Sequence, residues 1–380
     1  MQRKKIIALI LIGLVAIMVI DFRINDEDVI ADYFMQFETE SIKNISNMPN
    51  VALNDERRSP EAVRKSSFSY NAADLENFIL DNPVGSVDIQ GHDKDTIEVT
   101  YEVKVYSSSK EAAEEFLEKI GILYGEPNGT FELEVQAPRP KPANIRAFEV
   151  DFDILAPKDL YIELANKYGN VKVQNFINGL DLEAKYNSTI VNFVKGDIEI
   201  NNEYGSLNVS DLDGKIYIDT SYNQNDFRNI QGSLRIDTAY TDNRLEDVYA
   251  DTEVTGKYGG GRFENLKGDL DLDIRYMGLD LIDIEGAITG SMEYGEISIE
   301  SLSNDLDVTS RYADLKVWMV EDLRDLNVDV RTRYGNLRSD LSLSKTKEDS
   351  TEMINGQIGS GTTDLKIDAR HADVELIYEN

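Results

Sequence analysis

From about residue 84 the chain alternates apolar and polar side chains in short runs, the period-2 signature of strands with one buried face. "GSVDIQG" (85–91), "TIEVTYEVKVY" (96–106), "TFELEV" (130–135) and "AFEVDFDI" (147–154) all have this form. One segment breaks it. Between Ser108 and Ile120, Ala112, Phe116, Leu117 and Ile120 fall on one stripe and predict a helix. "EPNGT" (126–130) reads as a turn and "RPKP" (139–142) as a loop. Residues 26–80 have no sustained period: 27–37 predict a short helix, and 40–65, rich in Asn, Ser and charge, reads as linker or stalk.

Further on, the alternation acquires a second, longer period. Tyrosines stand at 168, 186, 204, 222, 240, 258, 276, 294 and 312, every interval being eighteen residues. The next position holds Gly169, Asn187, Gly205, Asn223 or their equivalents, residues that tolerate positive φ, which predicts a tight corner there. Gly196, Gly214, Gly232, Gly268 and Gly286 mark a second corner. Between the corners run apolar columns, Val173 to Val317 five places after each Tyr and Phe176 to Val320 eight places after it. Past the second corner Ile198-x-Ile200, Ile216-x-Ile218 and Leu234-x-Ile236 alternate again. Two strands and two turns per eighteen residues predict an all-β fold, a parallel β-solenoid whose coils stack about 4.8 Å apart. A hexapeptide-repeat helix needs an aliphatic every sixth position, whereas six places after Tyr stand Gln174, Asn192, Ser210 and Arg228. Parity counted from Ile216 and Ile218 through Thr220 turns the Tyr222 ring inward or along the corner.

After Tyr312 the next Tyr-Gly pair is Tyr334-Gly335, a slip of four residues, and 344–360 reads as an insertion loop. "RHADVEL" (370–376) then repeats "RYADLKV" (311–317), with His371 in the place of Tyr312. The solenoid is therefore expected over 81–380, with the 108–120 helix as an excursion near its N-terminal end.

The first residues suggest a destination. Arg3, Lys4 and Lys5 precede an apolar run from Ile6 to Ile20, followed by acidic residues from Asp21, so residues 1–25 are expected to be an N-terminal membrane segment with the rest outside the cytoplasm. The run is short for a span, which suits a signal peptide, but no small-x-small cleavage site follows it. Uncleaved signal anchor and cleaved signal both remain open; export is common to both.

Charge narrows the partners. Asp and Glu number 71 against 39 Lys and Arg, a net charge of −32, which would repel phosphate backbones and disfavours nucleic acid. The absence of cysteine excludes disulfides and thiolate metal sites.

Chemistry-bearing candidates are few. Asp219, Asp237 and Asp273 share an outward column, with Asp269 and Asp271 on the same face, and oxygen-rich patches of that kind suit calcium. The nonapeptide calcium-roll signature is absent, so the bland reading is a solvated acidic face and no cofactor is expected. Cross-coil ion pairs are expected between Lys185 and Glu203 and among Arg275, Glu293 and Arg311. His92 and His371 are the only histidines, and no Ser-His-Asp arrangement is supported. The Tyr column suggests either an aromatic platform for glycans or stacked structural corners.

The anchor, "NPVGSVDIQGHDKDTIEVTYEV", the "EAAEEFLEKIGI" helix, "FDILAPKDLYIELANKYGNVKV" and the following Tyr-Gly rungs together resemble the bacterial putative-adhesin β-solenoid family, related to the head domains of auto-transporter adhesins. The likeness covers roughly 80–378. It implies an envelope or surface protein, adhesive and without an established catalytic site, and some relatives look associated with envelope-stress signalling. The expectation is a non-enzymatic, membrane-tethered extracytoplasmic module that binds an envelope glycan or surface protein, or acts as a scaffold. The alternatives are a polysaccharide-active β-helical enzyme and a component of envelope-stress signalling. An enzyme would need a cleft of long loops, and only 121–147 and 344–360 offer the length.

Overall fold

The eighteen-residue period becomes strand register. The computed structural model describes residues 60–321 and 323–378. Its elements are, in chain order, β1 (Ala62–Asn71), β2 (Asn77–Asn82), β3 (Val87–His92), β4 (Thr96–Ser107), helix α1 (Lys110–Leu117), β5 (Gly121–Gly125), β6 (Thr130–Gln136) and β7 (Ile145–Pro157). The regular coils follow in β8 (Tyr161–Asn166), β9 (Val171–Phe176), β10 (Leu180–Lys185), β11 (Ser188–Leu266), β12 (Leu270–Ile284), β13 (Ile288–Leu302) and β14 (Leu306–Met319). The last are β15 (Leu326–Arg333), β16 (Leu337–Ser339), β17 (Lys345–Glu348), β18 (Thr351–Ile358), β19 (Thr363–Arg370) and β20 (Val374–Tyr378). Leu180 lies in parallel register between Ile162 and Ile198, and further along Thr252 pairs with Leu270, Leu270 with Ile288 and Ile288 with Leu306. The described residues form an all-β solenoid, as the repeat predicts, with one short helix among them.

The apolar columns line the interior. Val173, Val191, Val209, Phe227, Leu245, Phe263, Leu281, Ile299 and Val317 are all buried, as are Phe176, Val194, Leu212, Ile230, Val248, Leu266, Ile284 and Leu302. Each such side chain contributes about 1.5–3 kcal/mol by leaving water. A polar ladder completes the core beside the tyrosine corner, where the sequence reading expected none. Asn202 Nδ2 donates to Asn187 Oδ1 (3.1 Å) and Thr189 Oγ1 (2.8 Å), Asn223 Nδ2 to Asn202 Oδ1 (2.7 Å), and Asn225 Nδ2 to Asn243 Oδ1 (2.8 Å). These amides pair with one another from coil to coil, so their burial does not leave them wholly unsatisfied.

The corners differ from the expectation in one respect. The left-handed residue is the tyrosine itself: from Tyr186 to Tyr312 every ladder Tyr has φ between 54° and 59°. A second left-handed column stands seven places later, from Asn175 to Ser301, with φ between 50° and 66°. A left-handed residue interrupts the strand alternation, so Thr220 and Asn223 both point into the core while Tyr222 between them turns outward. The inward parity count fails for that reason. Gly205 serves close approach rather than left-handedness, since a Cβ there would sit 1.7 Å from the Asn187 carbonyl oxygen.

Chain order and spatial order part company at both ends. The coil of β2 and β3 is wedged between β6 and β7 on one side and β8 and β9 on the other. The last coil in sequence, β19 and β20, lies between β14 and the β15–β16 coil. The slip after Tyr312 is therefore a step over a level that the C-terminal strands later fill. Residues 344–360, expected as a loop, instead contain the β17–β18 hairpin, and β18 runs antiparallel to β15.

At the other end β1 pairs antiparallel with β4 and β4 with β7. Helix α1, capped by Ser109 accepting from the Ala112 amide at 3.1 Å, buries Ala113, Phe116 and Leu117 there. Part of the expected 26–80 linker is thus strand, from Ala62 through Asn82, with Phe78 and Leu80 in the core. Its period is faint in the sequence because Arg64 takes a half-covered place and Ser66 leaves the alternation of β1 incomplete. The expected membrane segment 1–25, and the linker up to residue 59, lie outside the described residues. Among the described residues no helix is long and apolar enough to cross a membrane.

Candidate functional site

The left-handed tyrosines align into one exposed row. Eleven rings follow one another, Tyr168 through Tyr312, then His371, then Tyr334, with centroids 4.6–5.1 Å apart and planes within 3–16°. The side chains of Tyr204 and Tyr240 are 43% and 42% exposed, which fits rings covered on both faces and open at the edge. A sugar stacks on an aromatic face, and inside this row the faces are already occupied by neighbouring rings. The row therefore offers hydroxyls and ring edges, and its primary role is to close each corner.

Flanking chemistry is uneven. The place before each ladder ring holds Lys167, Lys185, Lys257, Arg275, Arg311, Arg370 and Arg333, interrupted by Glu203, Ser221, Ala239 and Glu293. Lys257 and Arg275 lie 5.4 and 5.6 Å from the centroids of Tyr258 and Tyr276, within cation–π range. The expected cross-coil pairs form: Lys185 Nζ is 3.4 Å from Glu203, and Glu293 bridges Arg275 (2.9 Å) and Arg311 (3.6 Å). In a chain of net charge −32 this basic column stands out.

The acidic candidates resolve differently. Asp237 accepts from Tyr217 Oη (2.8 Å) and faces Arg235 (3.3 Å), while Asp273 accepts from Ser291 Oγ (3.0 Å). Burial and the Asp237 carboxylate push the Tyr217 hydroxyl up to about 12. Asp219 is raised above the usual carboxylate range, first by burial, then by Asp237 and Glu203. Asp273 stands beyond Thr255, its register partner on the preceding coil. The three aspartates are not gathered, and among the described residues no cluster of three or more ligating side chains is arranged around a metal position. Elsewhere on this face carboxylates satisfy backbone amides of the next coil: Asp251 accepts from the Asp269 amide (3.0 Å) and Asp269 from that of Ala287 (2.9 Å). Of the histidines, His92 Nε2 lies 2.9 Å from the Thr96 carbonyl in a turn, and His371 is a member of the ring row.

Two open depressions lie on the surface. One, of about 340 Å³, has Ile177 and Phe193 on its wall with Asn175, Asn229 and Lys195. Phe193 is 56% exposed and takes φ 56° in a column that elsewhere holds Asn, Asp or Ser. The other, of about 620 Å³, lies between Tyr161 and Asp197. Sequence reading missed Phe193, although its departure from the Asn/Asp column was visible.

A stack of parallel coils of this kind, closed at one corner by an aromatic row, defines a β-solenoid. The chain belongs to the Toastrack DUF4097 family, whose model matches residues 77–376. It is also similar to a solved structure described as a putative cell adhesion protein from Clostridium sporogenes, at 11% identity and a TM-score of 0.20, covering 84% of this chain and 100% of that one. A TM-score that low carries no argument about this chain. No curated protein matches.

Proposed function

We propose that this protein is a non-catalytic module of the cell envelope, tethered by its N-terminal segment, whose solenoid presents a rigid lateral face for adhesion or scaffolding. The observation that carries the reading is the unbroken row of stacked rings from Tyr168 to Tyr334. Eleven coil levels at the strand spacing extend that face over roughly 50 Å. Its side chains are fixed by stacking and by ladder hydrogen bonds, so little ordering entropy is lost when a partner docks. Membership of the Toastrack family and an apolar N-terminal run after three basic residues support the placement. The depressions at 340 and 620 Å³ are open to solvent, and substrate sites generally enclose most of their ligand. The test is fractionation of cells producing the full chain, followed by co-sedimentation of the purified chain with isolated envelope polymers. The reading expects the protein in the membrane or surface fraction and retention on the polymer. A wholly cytoplasmic distribution without retention overturns it.

A further inference from the structure

The solenoid's C-terminal end aligns like charges from strands distant in the chain. Arg311 on β14 lies in register with Arg370 on β19, and Arg370 in register with Arg333 on β15. Three arginines from three strands distant in the chain thus occupy one outward column at successive coil levels, about 4.8 Å apart. They stand immediately before the rings Tyr312, His371 and Tyr334, which stack at 4.7 and 4.8 Å. Like charges directly opposite on neighbouring strands are destabilising. Of the three, Arg311 is paired with Glu293 at 3.6 Å. Arg370 and Arg333 are exposed, and no ion pair joins either to a carboxylate among the described residues. Nearby acids are committed: Asp368 to Arg331 (2.6 Å), Glu352 to Lys345 (3.1 Å) and Lys347 (2.9 Å), Asp373 to the Asn336 amide (2.8 Å), and Asp314 to the Asp373 amide (2.7 Å).

We propose that Arg311, Arg370 and Arg333 form a binding site for phosphate-type oxyanions, filled by a phosphate group of an anionic envelope polymer. Guanidinium forks match tetrahedral oxyanions through paired N–H donors. Two forks one coil apart can close on the same phosphate through bonds of about 2.8 Å. The third fork extends the site along the solenoid axis, so a chain of linked phosphates gains a contact at each level while a single phosphate engages two. Outside this column the surface is strongly acidic and repels polyanions, which confines them to the strip. The site deepens the envelope-binding reading by naming a ligand chemistry. It rests on register and charge, so it stands or falls separately from membrane tethering.

The experiment titrates the full chain with inorganic phosphate, with linear polyphosphate and, in a separate arm, with phosphatidylglycerol vesicles. Wild type is compared with the double variant Arg333→Gln/Arg370→Gln and with Arg262→Gln, which removes a charge paired to Glu264 elsewhere on the surface. The expected result is polyphosphate binding that tightens relative to inorganic phosphate and weakens with added salt. The double variant should lose at least tenfold in affinity and Arg262→Gln less than twofold. Without ligand, the double variant should melt no lower than wild type, because like-charge repulsion is relieved, and polyphosphate should no longer raise its melting temperature. Vesicle binding without polyphosphate binding assigns the strip to a lipid surface and overturns the polymer assignment. No binding in any arm, or an equal loss in Arg262→Gln, overturns the site itself.

Discussion

Tyr312 stacks on His371 with centroids 4.7 Å apart and planes within 4°, although the β15–β16 coil, the β17–β18 hairpin and β19 lie between them in sequence. His371 then meets Tyr334 at 4.8 Å, so the aromatic row is continuous in space where it is broken in sequence. The last strands close the solenoid by insertion rather than by addition at its end.

Removing residues 363–380 therefore should do more than trim a terminus. It takes away the level that joins β14 to β15, leaving two parallel edges unpaired. Hydrogen exchange of the shortened chain is expected to show lost protection over 326–358 and retained protection over 180–266. In a stack where coils contact only their neighbours the damage stays local. Uniform protection across 326–358 would show that the inserted coil is dispensable.

At Tyr240 stacking and backbone conformation separate. The ring contacts Tyr222 and Tyr258 at 4.8 Å each, and the residue sits at φ 54°. Both Tyr240→Asn and Tyr240→Ala lose the stacking, about 0.5–1.5 kcal/mol per ring pair beyond area burial. Alanine keeps the left-handed penalty that tyrosine already carries, about 1–2 kcal/mol, whereas asparagine largely escapes it. Urea unfolding should rank wild type, Asn, then Ala. Equal stability of the two variants would remove the role assigned to the tyrosine backbone.

Two glycines near the corner should respond oppositely. At Gly205 a Cβ meets the Asn187 carbonyl oxygen at 1.7 Å, whereas at Gly278 the nearest atom, the Glu296 carbonyl oxygen, is 3.6 Å away. Gly205→Val is expected to cost at least about 2 kcal/mol through overpacking against backbone. Gly278→Ala should stay within about 0.5 kcal/mol of wild type, as surface substitutions usually do. Thermal melts of both variants decide the matter.

Carboxylates on the two ends of the scale give opposite pH signatures. The Leu337 amide, Lys347 and Lys345 hold Glu352 down to about 2. Its folded pKa is below its unfolded value of 4.5, so its stabilisation is full above 4.5 and fades as pH falls toward 2. Glu352→Gln should flatten that part of the acid-unfolding profile. Asp219 is raised instead, so its ionised form costs stability at neutral pH. Asp219→Asn should melt higher than wild type at pH 7, and the gain should disappear below its ordinary value of 3.8. Millimolar calcium should leave both melting temperatures unchanged; a calcium-dependent rise lost in Asp219→Asn would restore the metal reading.

Much of this architecture was legible because one side chain repeats at a fixed interval. The eighteen-residue tyrosine spacing and the valine, leucine and phenylalanine columns fix coil length and inward face, since the period of burial is the period of the fold. Tyrosine orientation was not legible: strand parity assumes uniform extended backbone, and the left-handed φ at Tyr222 resets it. Insertion of β19 between β14 and β15 was hidden too, because register fixes which residues align and not which coil comes next in space. The acidic column was visible as charge, but its hydrogen bonds to amides and hydroxyls depend on neighbours that only the stacked coils bring together. Arg311, Arg370 and Arg333 are each unremarkable in the sequence; their alignment follows from the inserted level.

The proposed function requires that this surface hold a partner without transforming it. The most direct measurement incubates the purified full chain with isolated envelope polysaccharide and follows bound protein and newly formed chain ends together over time. The account predicts saturable retention of the protein with no rise in chain ends above the protein-free control. A steady, protein-dependent rise in chain ends would contradict it.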